Sequence, residues 1–195
     1  MARTRTFVAV PLADEIRGRL VALRREVSRS LSDMKWTEAE NLHVTMVFLG
    51  EVDDREIPQV CRLTQAAVDT AGLTAFPLCI GGLGCFPHSR RPRVLWAGVA
   101  EGRDQLMRLH TGLEEQLAEM GYRQENRPFA PHVTLGRTRS DGPVRELAAL
   151  LIAKSDWQAG RQIADEIHVM GSVLRSQGPC YTLVGRIKLN EPPEA

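Results

Sequence analysis

Six stretches of the chain have the apolar content or the period-two alternation that predicts β-strands. The first is TRTFVAVPL, and two later ones, LHVTMVFLG and APHVTLGR, share the triplet His-Val-Thr. An extended, glycine-marked stretch, FPLCIGGLGCFP, leads through a basic loop to the short strand VLWAGV, and the others are QIADEIHVMGSVL and CYTLVGRIKL. The turn-forming residues RSQGP separate the last two, which therefore predict consecutive strands.

Apolar residues that recur at steps of three and four predict four helices between these strands. The first helix begins at Asp14 and Glu15, the second covers residues 53–72, the third 102–120, and a weaker fourth 144–153. We place His110 on the polar side of the third helix, where solvent would surround it.

The two halves of the chain repeat one order of elements. A strand, an amphipathic helix, an HVT strand and a charged turn occur once in each half, with little other identity between them. No low-complexity or linker-like segment divides the halves. This organisation predicts one domain with two lobes over residues 1–190 and a polar, frayed tail over residues 191–195.

The composition is that of an ordinary globular protein: 195 residues, 43% of them hydrophobic, with a net charge of +1. So small a charge argues against the coating of bulk RNA or DNA, but it allows a nucleotide or an RNA end in a local basic cleft. The four cysteines form no CxxC pair, and the sequence has no signal-peptide pattern and no long apolar run. We therefore expect a cytoplasmic protein with free thiols and no membrane contact.

The HVT triplets carry the candidate chemistry. Side chains two apart on a strand share a face, so His43 points with Thr45, and His132 points with Thr134. Two histidines near neutrality can act as one base and one acid, and two hydroxyls can bind the oxygens of an anion. This set suits the cleavage of a phosphate ester. Because the sequence has no HxH or HExxH pattern, we expect neither a metal nor a cofactor.

The plainer alternative is that His43 and His132 are half-buried strand histidines without a chemical role. One HxT is unsurprising by chance in this composition. Two copies, both in apolar strands that end in Leu-Gly, are less likely to arise by chance.

Beyond the triplets, five segments in order resemble the two-histidine (2H) phosphoesterases. The similarity is to their LigT-like branch of RNA 2′,3′-cyclic phosphodiesterases, historically called 2′-5′ RNA ligases. The segments are RTFVAVPLADEIRGRL, WTEAENLHVTMVFLGEVDD, GGLGCFPHSRRPRVLWAGV, RPFAPHVTLGRTR and LRSQGPCYTLVGRIKL. The resemblance implies an α+β fold with two lobes in pseudo-two-fold relation. Two antiparallel sheets would line a central cleft, with helices outside.

The resemblance also implies a reaction that opens a ribonucleoside 2′,3′-cyclic phosphate to a 2′-phosphate without a metal. In this assignment His43 is the proton donor to the departing 3′ oxygen, and His132 is the proton acceptor from the attacking water. Thr45 and Thr134 hold the phosphate oxygens. In reverse, a 5′-hydroxyl would replace water and form a 2′-5′ linkage without a nucleoside triphosphate.

Four further residues are candidates for substrate binding. Arg137 could bind phosphate, but strict alternation points it away from the cleft unless the strand bulges near Gly136. Phe48 could stack on a base, although alternation favours the core side. His88 and Arg90 lie in a basic loop that could contact the RNA backbone or be solvated.

The residues alone leave other functions open. The same chemistry could act on 2′,5′-oligoadenylate or ADP-ribose cyclic phosphate, because substrate choice resides in loops outside the HxT strands. A non-catalytic module that binds RNA ends is a third reading, although it would not need both an acid and a base. We expect a monomer without an obligate protein partner. Among the tryptophans, Trp36 is the first to test as a platform for a base.

Overall fold

The computed structural model describes residues 2–89, 91–122, 128–139, 146–175 and 178–191. In these ranges the chain forms nine β-strands and four α-helices. The strands are β1 Arg3–Pro11, β2 Met34–Trp36, β3 His43–Asp53, β4 Phe76–Phe86, β5 Val94–Glu101, β6 His132–Thr138, β7 Gln158–Ala164, β8 Glu166–Arg175 and β9 Gly178–Lys188. The helices are α1 Asp14–Val27, α2 Ile57–Thr70, α3 Arg103–Ala118 and α4 Leu147–Ala153, with a short 3-10 helix over Ala39–Asn41.

The strands pair antiparallel in the order β7-β4-β5-β6-β3-β1-β8-β9, with β2 also beside β6. The expected antiparallel α+β architecture is confirmed. The sheet has two halves, β7-β4-β5-β6 and β3-β1-β8-β9. In the described ladders these halves meet at the single pair Val44↔Val133. The two separate sheets that the resemblance implies are not seen, because this pair joins the halves.

The helices form where their apolar stripes can be buried. Helix α1 has Asp14 and Glu15 in its first turn, where carboxylates are favoured by the helix dipole. Its buried stripe is Ile16, Leu20, Leu23 and Val27. Helices α2 and α3 pack so closely that a Cβ atom at Gly112 would lie 3.1 Å from the Ala67 carbonyl oxygen. Each fully buried leucine in such stripes contributes about 1.5–3 kcal/mol to stability. Across the described ranges, no helix is both long and apolar enough to cross a membrane.

Two strand predictions are corrected. The stretch QIADEIHVMGSVL is not one strand, because the chain crosses at Asp165 from β7, which pairs with β4, to β8, which pairs with β1 in the other half. Strand β2 has no counterpart among the predicted strands, since three residues are too few for a periodic signal. The structure describes the fourth helix from Leu147 onward. Residues 144–145 of that prediction and 192–195 of the predicted tail lie outside the described ranges.

Candidate active site

The two HVT triplets lie side by side where the halves of the sheet meet. Val44 of β3 pairs with Val133 of β6, and both valines are fully buried in the core. The four polar side chains of the triplets line one cleft: His43, Thr45, His132 and Thr134. The strands are antiparallel, so the register across this pair sets each histidine toward the threonine of the other triplet. All four predicted residues are thus brought together.

Backbone carbonyls orient both imidazoles. His132 donates from Nδ1 to the carbonyl oxygen of Ala130 at 2.7 Å, which leaves its Nε2 to face the cleft. His43 hydrogen-bonds the backbone of Asn41, and its Nε2 lies 2.9 Å from the Thr45 hydroxyl. In the neutral ring, Nε2 accepts a hydrogen bond from that hydroxyl. Each histidine therefore presents one nitrogen for proton transfer while its surroundings fix the tautomer.

Both imidazoles are neutral in the free protein at neutral pH. The pKa of His43 is lowered to about 4, chiefly by burial; the hydrogen bond to Asn41 partly opposes this, and the nearby His132 adds to it. Burial also lowers the pKa of His132, as does the positive charge of Arg137, against the bond to Ala130. A bound anion would act oppositely, because negative charge favours the imidazolium.

Aromatic rings pack around each histidine. The ring of His43 stacks on Phe7 with centroids 4.9 Å apart and meets the edge of Tyr181 at 5.5 Å. His132 meets Phe86 at 5.0 Å. Its centroid is 6.1 Å from that of Trp96. The rings displace water from the imidazoles, which is the physical source of the lowered pKa values. Sequence reasoning missed Phe7, Tyr181 and Phe86, because their strands are adjacent only in the folded sheet.

Arg137 reaches the cleft through a bulge in β6. Leu95 pairs with Gly136, but the next residue of β5 pairs with Thr134, so Leu135 is an extra residue on β6. The extra residue reverses the alternation, and Arg137 lines the cleft beside Thr134. The condition stated for Arg137, a bulge near Gly136, is met.

Phe48 does not face the side of the sheet that strict alternation predicts. Its side chain is 44% exposed and lines the cleft, so the expectation that it packs on the core side is wrong. In the β1–β3 ladder, Ala9 pairs with Thr45 and Val8 with Val47, so Met46 is an extra residue between the triplet and Phe48 and reverses the alternation before Phe48. Phe48 lies nearly parallel to Phe7 with centroids 5.6 Å apart, and the guanidinium carbon of Arg5 lies over its ring, 5.6 Å from the centroid.

The remaining candidates are only partly brought to the site. Trp36 lines the cleft from β2. His88 is exposed in the loop after β4 and does not line it, and Arg90 lies outside the described residues. His110 was expected to be solvated and is instead 9% exposed and lines the cleft from α3. The stripe from Leu106 continues at a step of four, which brings residue 110 to the buried side.

Positive side chains and a large volume characterise the rest of the cleft. Its volume is about 1370 Å³. Five basic side chains line it: Arg24, Arg25, Lys35, Arg137 and Arg139. Three glutamates also line it: Glu38, Glu40 and Glu114. Within the described part of the chain, no three His, Cys, Asp or Glu side chains are grouped so that they could hold a metal ion.

An antiparallel sheet with two histidine–threonine pairs at its centre is the arrangement expected of the two-histidine phosphoesterases that the sequence resembles. The sequence profile of the 2′-5′ RNA ligase superfamily matches residues 8–173, and the chain belongs to this family. A relative from Aeropyrum pernix, an RNA 2′,3′-cyclic phosphodiesterase by name, is 34% identical over 172 residues, which cover 88% of this chain and 95% of the relative.

Solved structures agree with this assignment. TT0787 of Thermus thermophilus is 30% identical, with a TM-score of 0.77 over 96% of this chain and 98% of that one. E. coli LigT complexed with 3′-AMP is 27% identical, with a TM-score of 0.77 over 97% of this chain and 100% of that one.

Proposed function

We propose that this protein is an RNA 2′,3′-cyclic phosphodiesterase that leaves a 2′-phosphomonoester. One observation carries the proposal: two histidine–threonine pairs converge on one cleft from neighbouring antiparallel strands. The name of the Aeropyrum pernix relative gives the substrate class, and the complex of E. coli LigT with 3′-AMP supports a nucleotide at this site.

The proposed reaction divides proton transfer between the histidines. Nε2 of His132 takes a proton from water as the water oxygen bonds to phosphorus. The bond from phosphorus to the 3′ oxygen breaks, and His43 gives a proton to that oxygen. Thr45 and Thr134 hydrogen-bond the phosphoryl oxygens. In the reverse reaction a 5′-hydroxyl would replace water and form a 2′-5′ linkage.

The lowered pKa of His132 supports this residue as the base. Burial first, and then the charge of Arg137, lower the pKa of His132, which keeps the ring neutral and able to accept a proton. His43 must carry a proton to act as the acid, whereas in the free protein its pKa is about 4. The bound phosphate supplies the missing charge, because its negative oxygens raise the pKa of the ring beside them.

The shape and charge of the cleft support an RNA end as the substrate. Its volume of about 1370 Å³ is larger than a single small molecule needs. The basic side chains that line it suit the phosphates of an RNA chain. The side chain of Phe48 is 44% exposed and lines the cleft, which supports a stacking contact with a base. A contact of His88 and Arg90 with the RNA backbone stays a prediction.

The division of the sheet into two halves at one residue pair supports a two-lobed domain over residues 1–190. We extend the proposal to a monomer that acts in the cytoplasm without a metal, a cofactor, a membrane or an obligate protein partner.

The test is turnover in the presence of EDTA. Purified protein is given 2′,3′-cyclic AMP, a short RNA with a cyclic end, 2′,5′-oligoadenylate or ADP-ribose cyclic phosphate. We expect the RNA with a cyclic end and 2′,3′-cyclic AMP each to yield a 2′-phosphate. Recovery of 3′-phosphate, or a requirement for metal, would contradict the donor and acceptor assignment. If the protein turns over only 2′,5′-oligoadenylate or only ADP-ribose cyclic phosphate, that compound is the substrate and an RNA end is not. RNA binding without any turnover would make the protein a non-catalytic module.

A further inference from the structure

His110 is a buried imidazole that the proposed reaction does not use. It lies on α3, is 9% exposed and lines the cleft. Its Nδ1 donates to the carbonyl oxygen of Met46 at 2.9 Å, and its ring stacks on Phe129 with centroids 4.0 Å apart and an angle of 13°. Its Nε2 lies 3.6 Å from a carboxylate oxygen of Glu114, one turn further along the helix. Both ring nitrogens and one face of the ring thus have a defined neighbour.

The contact with Met46 falls on a bulge directly after Thr45. Val8 of β1 pairs with Val47, and Ala9 pairs with Thr45, so Met46 is an extra residue without a partner on β1. A bulge sets the direction of the side chains around it. By holding the Met46 carbonyl, His110 fixes the backbone that aims the Thr45 hydroxyl.

The contact with Phe129 falls on the segment that leads into the other triplet. Phe129 precedes Ala130, whose carbonyl accepts the hydrogen bond from Nδ1 of His132 at 2.7 Å. Because the ring of Phe129 is stacked on His110 with centroids 4.0 Å apart, the backbone from Phe129 to Ala130 has a restricted position. The position of that backbone in turn sets the orientation of the His132 imidazole.

One side chain therefore contacts the supports of both triplets, whose halves of the sheet share the pair Val44↔Val133 in the described ladders. We propose that His110 is a positioning residue that sets the separation of the two histidine–threonine pairs. The proposal rests on the proposed function for its kinetic consequence. The effect of His110 on the alignment of His43 and His132 does not depend on the reaction and can be measured without it.

The test separates the two contacts. His110→Phe keeps a ring for Phe129 and removes the donor to Met46, whereas His110→Asn keeps a donor and removes the ring. We expect each to lower kcat by about 10- to 100-fold with little change in KM, because small misplacement of reacting groups acts on the chemical step. The control is Leu113→Ala, a fully buried position of α3 that does not line the cleft. It should lower the melting temperature and leave kcat below that temperature unchanged.

Nuclear magnetic resonance of the imidazoles gives a second measurement. The ring resonances of His43 and His132 should shift in both His110 variants and stay in place in Leu113→Ala. Wild-type kcat and unshifted resonances in the His110 variants would overturn the proposal. So would an equal loss of kcat in Leu113→Ala. If the wild-type chain turns over none of the substrates, the proposed function fails, and the resonances alone still decide the role of His110.

Discussion

At the scale of single residues, the two proposed proton-transfer groups are imidazole rings whose orientation is fixed by hydrogen bonds to the backbone. His132 is tied through Nδ1 to the Ala130 carbonyl, and His43 is tied to the Asn41 backbone. Aromatic neighbours exclude water from both rings. A desolvated, oriented imidazole loses little freedom when it transfers a proton, but it is reluctant to carry charge until an anion arrives.

Removal of either histidine should abolish most of the activity. His43→Ala and His132→Ala are each expected to lower kcat by about 100-fold or more, since each deletes one proton-transfer group. Thr45→Ala and Thr134→Ala should cost about tenfold, the value of one neutral hydrogen bond. The measurement is turnover of cyclic-ended RNA, with circular dichroism to verify folding. The control is His168→Ala, a strand histidine outside the cleft lining. Near-wild-type turnover in either active-site histidine variant would refute the mechanism.

The pH dependence should differ between kcat/KM and kcat. In the free protein the pKa of His43 is about 4 and that of His132 lies below its ordinary 6.5. The pair must hold one proton to react, so kcat/KM should rise as the pH passes about 4 and fall as the pH passes the lowered pKa of His132, below 6.5. Bound phosphate should raise both pKa values, so we expect kcat to persist to higher pH. Superimposable profiles from steady-state kinetics would show that the phosphate does not act on the rings.

At the scale of elements, irregular positions in the strands decide what reaches the cleft. The period of two was sufficient to place His43 with Thr45 and His132 with Thr134. It failed at Phe48, because an extra residue in β3 reverses the faces, and such a bulge leaves no trace in the apolar pattern. It also missed β2, which three residues define only through pairing with β6. Local periodicity carries no information about tertiary pairing.

Strand β2 places Lys35 directly opposite Arg137 on β6, and both line the cleft. Like charges opposite each other in a ladder repel, and an anion between them relieves the repulsion. Lys35→Gln should therefore weaken kcat/KM on a cyclic-ended oligonucleotide more than on 2′,3′-cyclic AMP, and it should reduce the salt slope of RNA binding by about 0.7. Lys188→Gln, exposed on β9, is the matched control. Equal losses on both substrates would place Lys35 at the reacting phosphate instead.

Glycine in β4 makes room for the ring beside His132. A Cβ atom at Gly84 would lie 2.1 Å from Trp96, so the indole must shift in Gly84→Ala. We expect a lower kcat and altered tryptophan fluorescence. At Gly18, inside α1, a Cβ meets nothing within 4 Å. Gly18→Ala should keep full activity and gain about 0.5–1 kcal/mol in the free energy of unfolding. An active Gly84→Ala enzyme would show that Trp96 does not support the site.

At the scale of the whole molecule, the site lies at the seam of the sheet, the pair Val44↔Val133 at which its two halves meet in the described ladders. The described ladder across that seam is one residue pair, while β1 and β3 share nine pairs. In the proposed reaction, side chains from both halves hold the substrate phosphate, so a bound substrate would add contacts across a seam that has one residue pair in the described ladders. The ligand would then reinforce the pairing of the two halves.

Hydrogen exchange should reveal this reinforcement. We expect the amides of Val44 and Val133 to exchange faster than those of β1, since local opening follows contact density. Added inorganic phosphate should slow them, because a ligand bound to the closed form stabilises it. The His132→Ala variant is the comparison, as it should lose most of the protection. Protection that is unaffected by phosphate in the wild type would mean that the ligand does not bridge the halves.

The nearness of Trp96 to His132, 6.1 Å between ring centres, also gives the molecule an optical signal of its own. A protonated imidazole quenches indole emission by accepting an electron, whereas a neutral one does so poorly. With Trp36 and Trp157 replaced by phenylalanine, the emission of Trp96 would report the charge on His132 directly. The proton taken up during a single turnover would then be visible as a loss of light, without any label on the RNA.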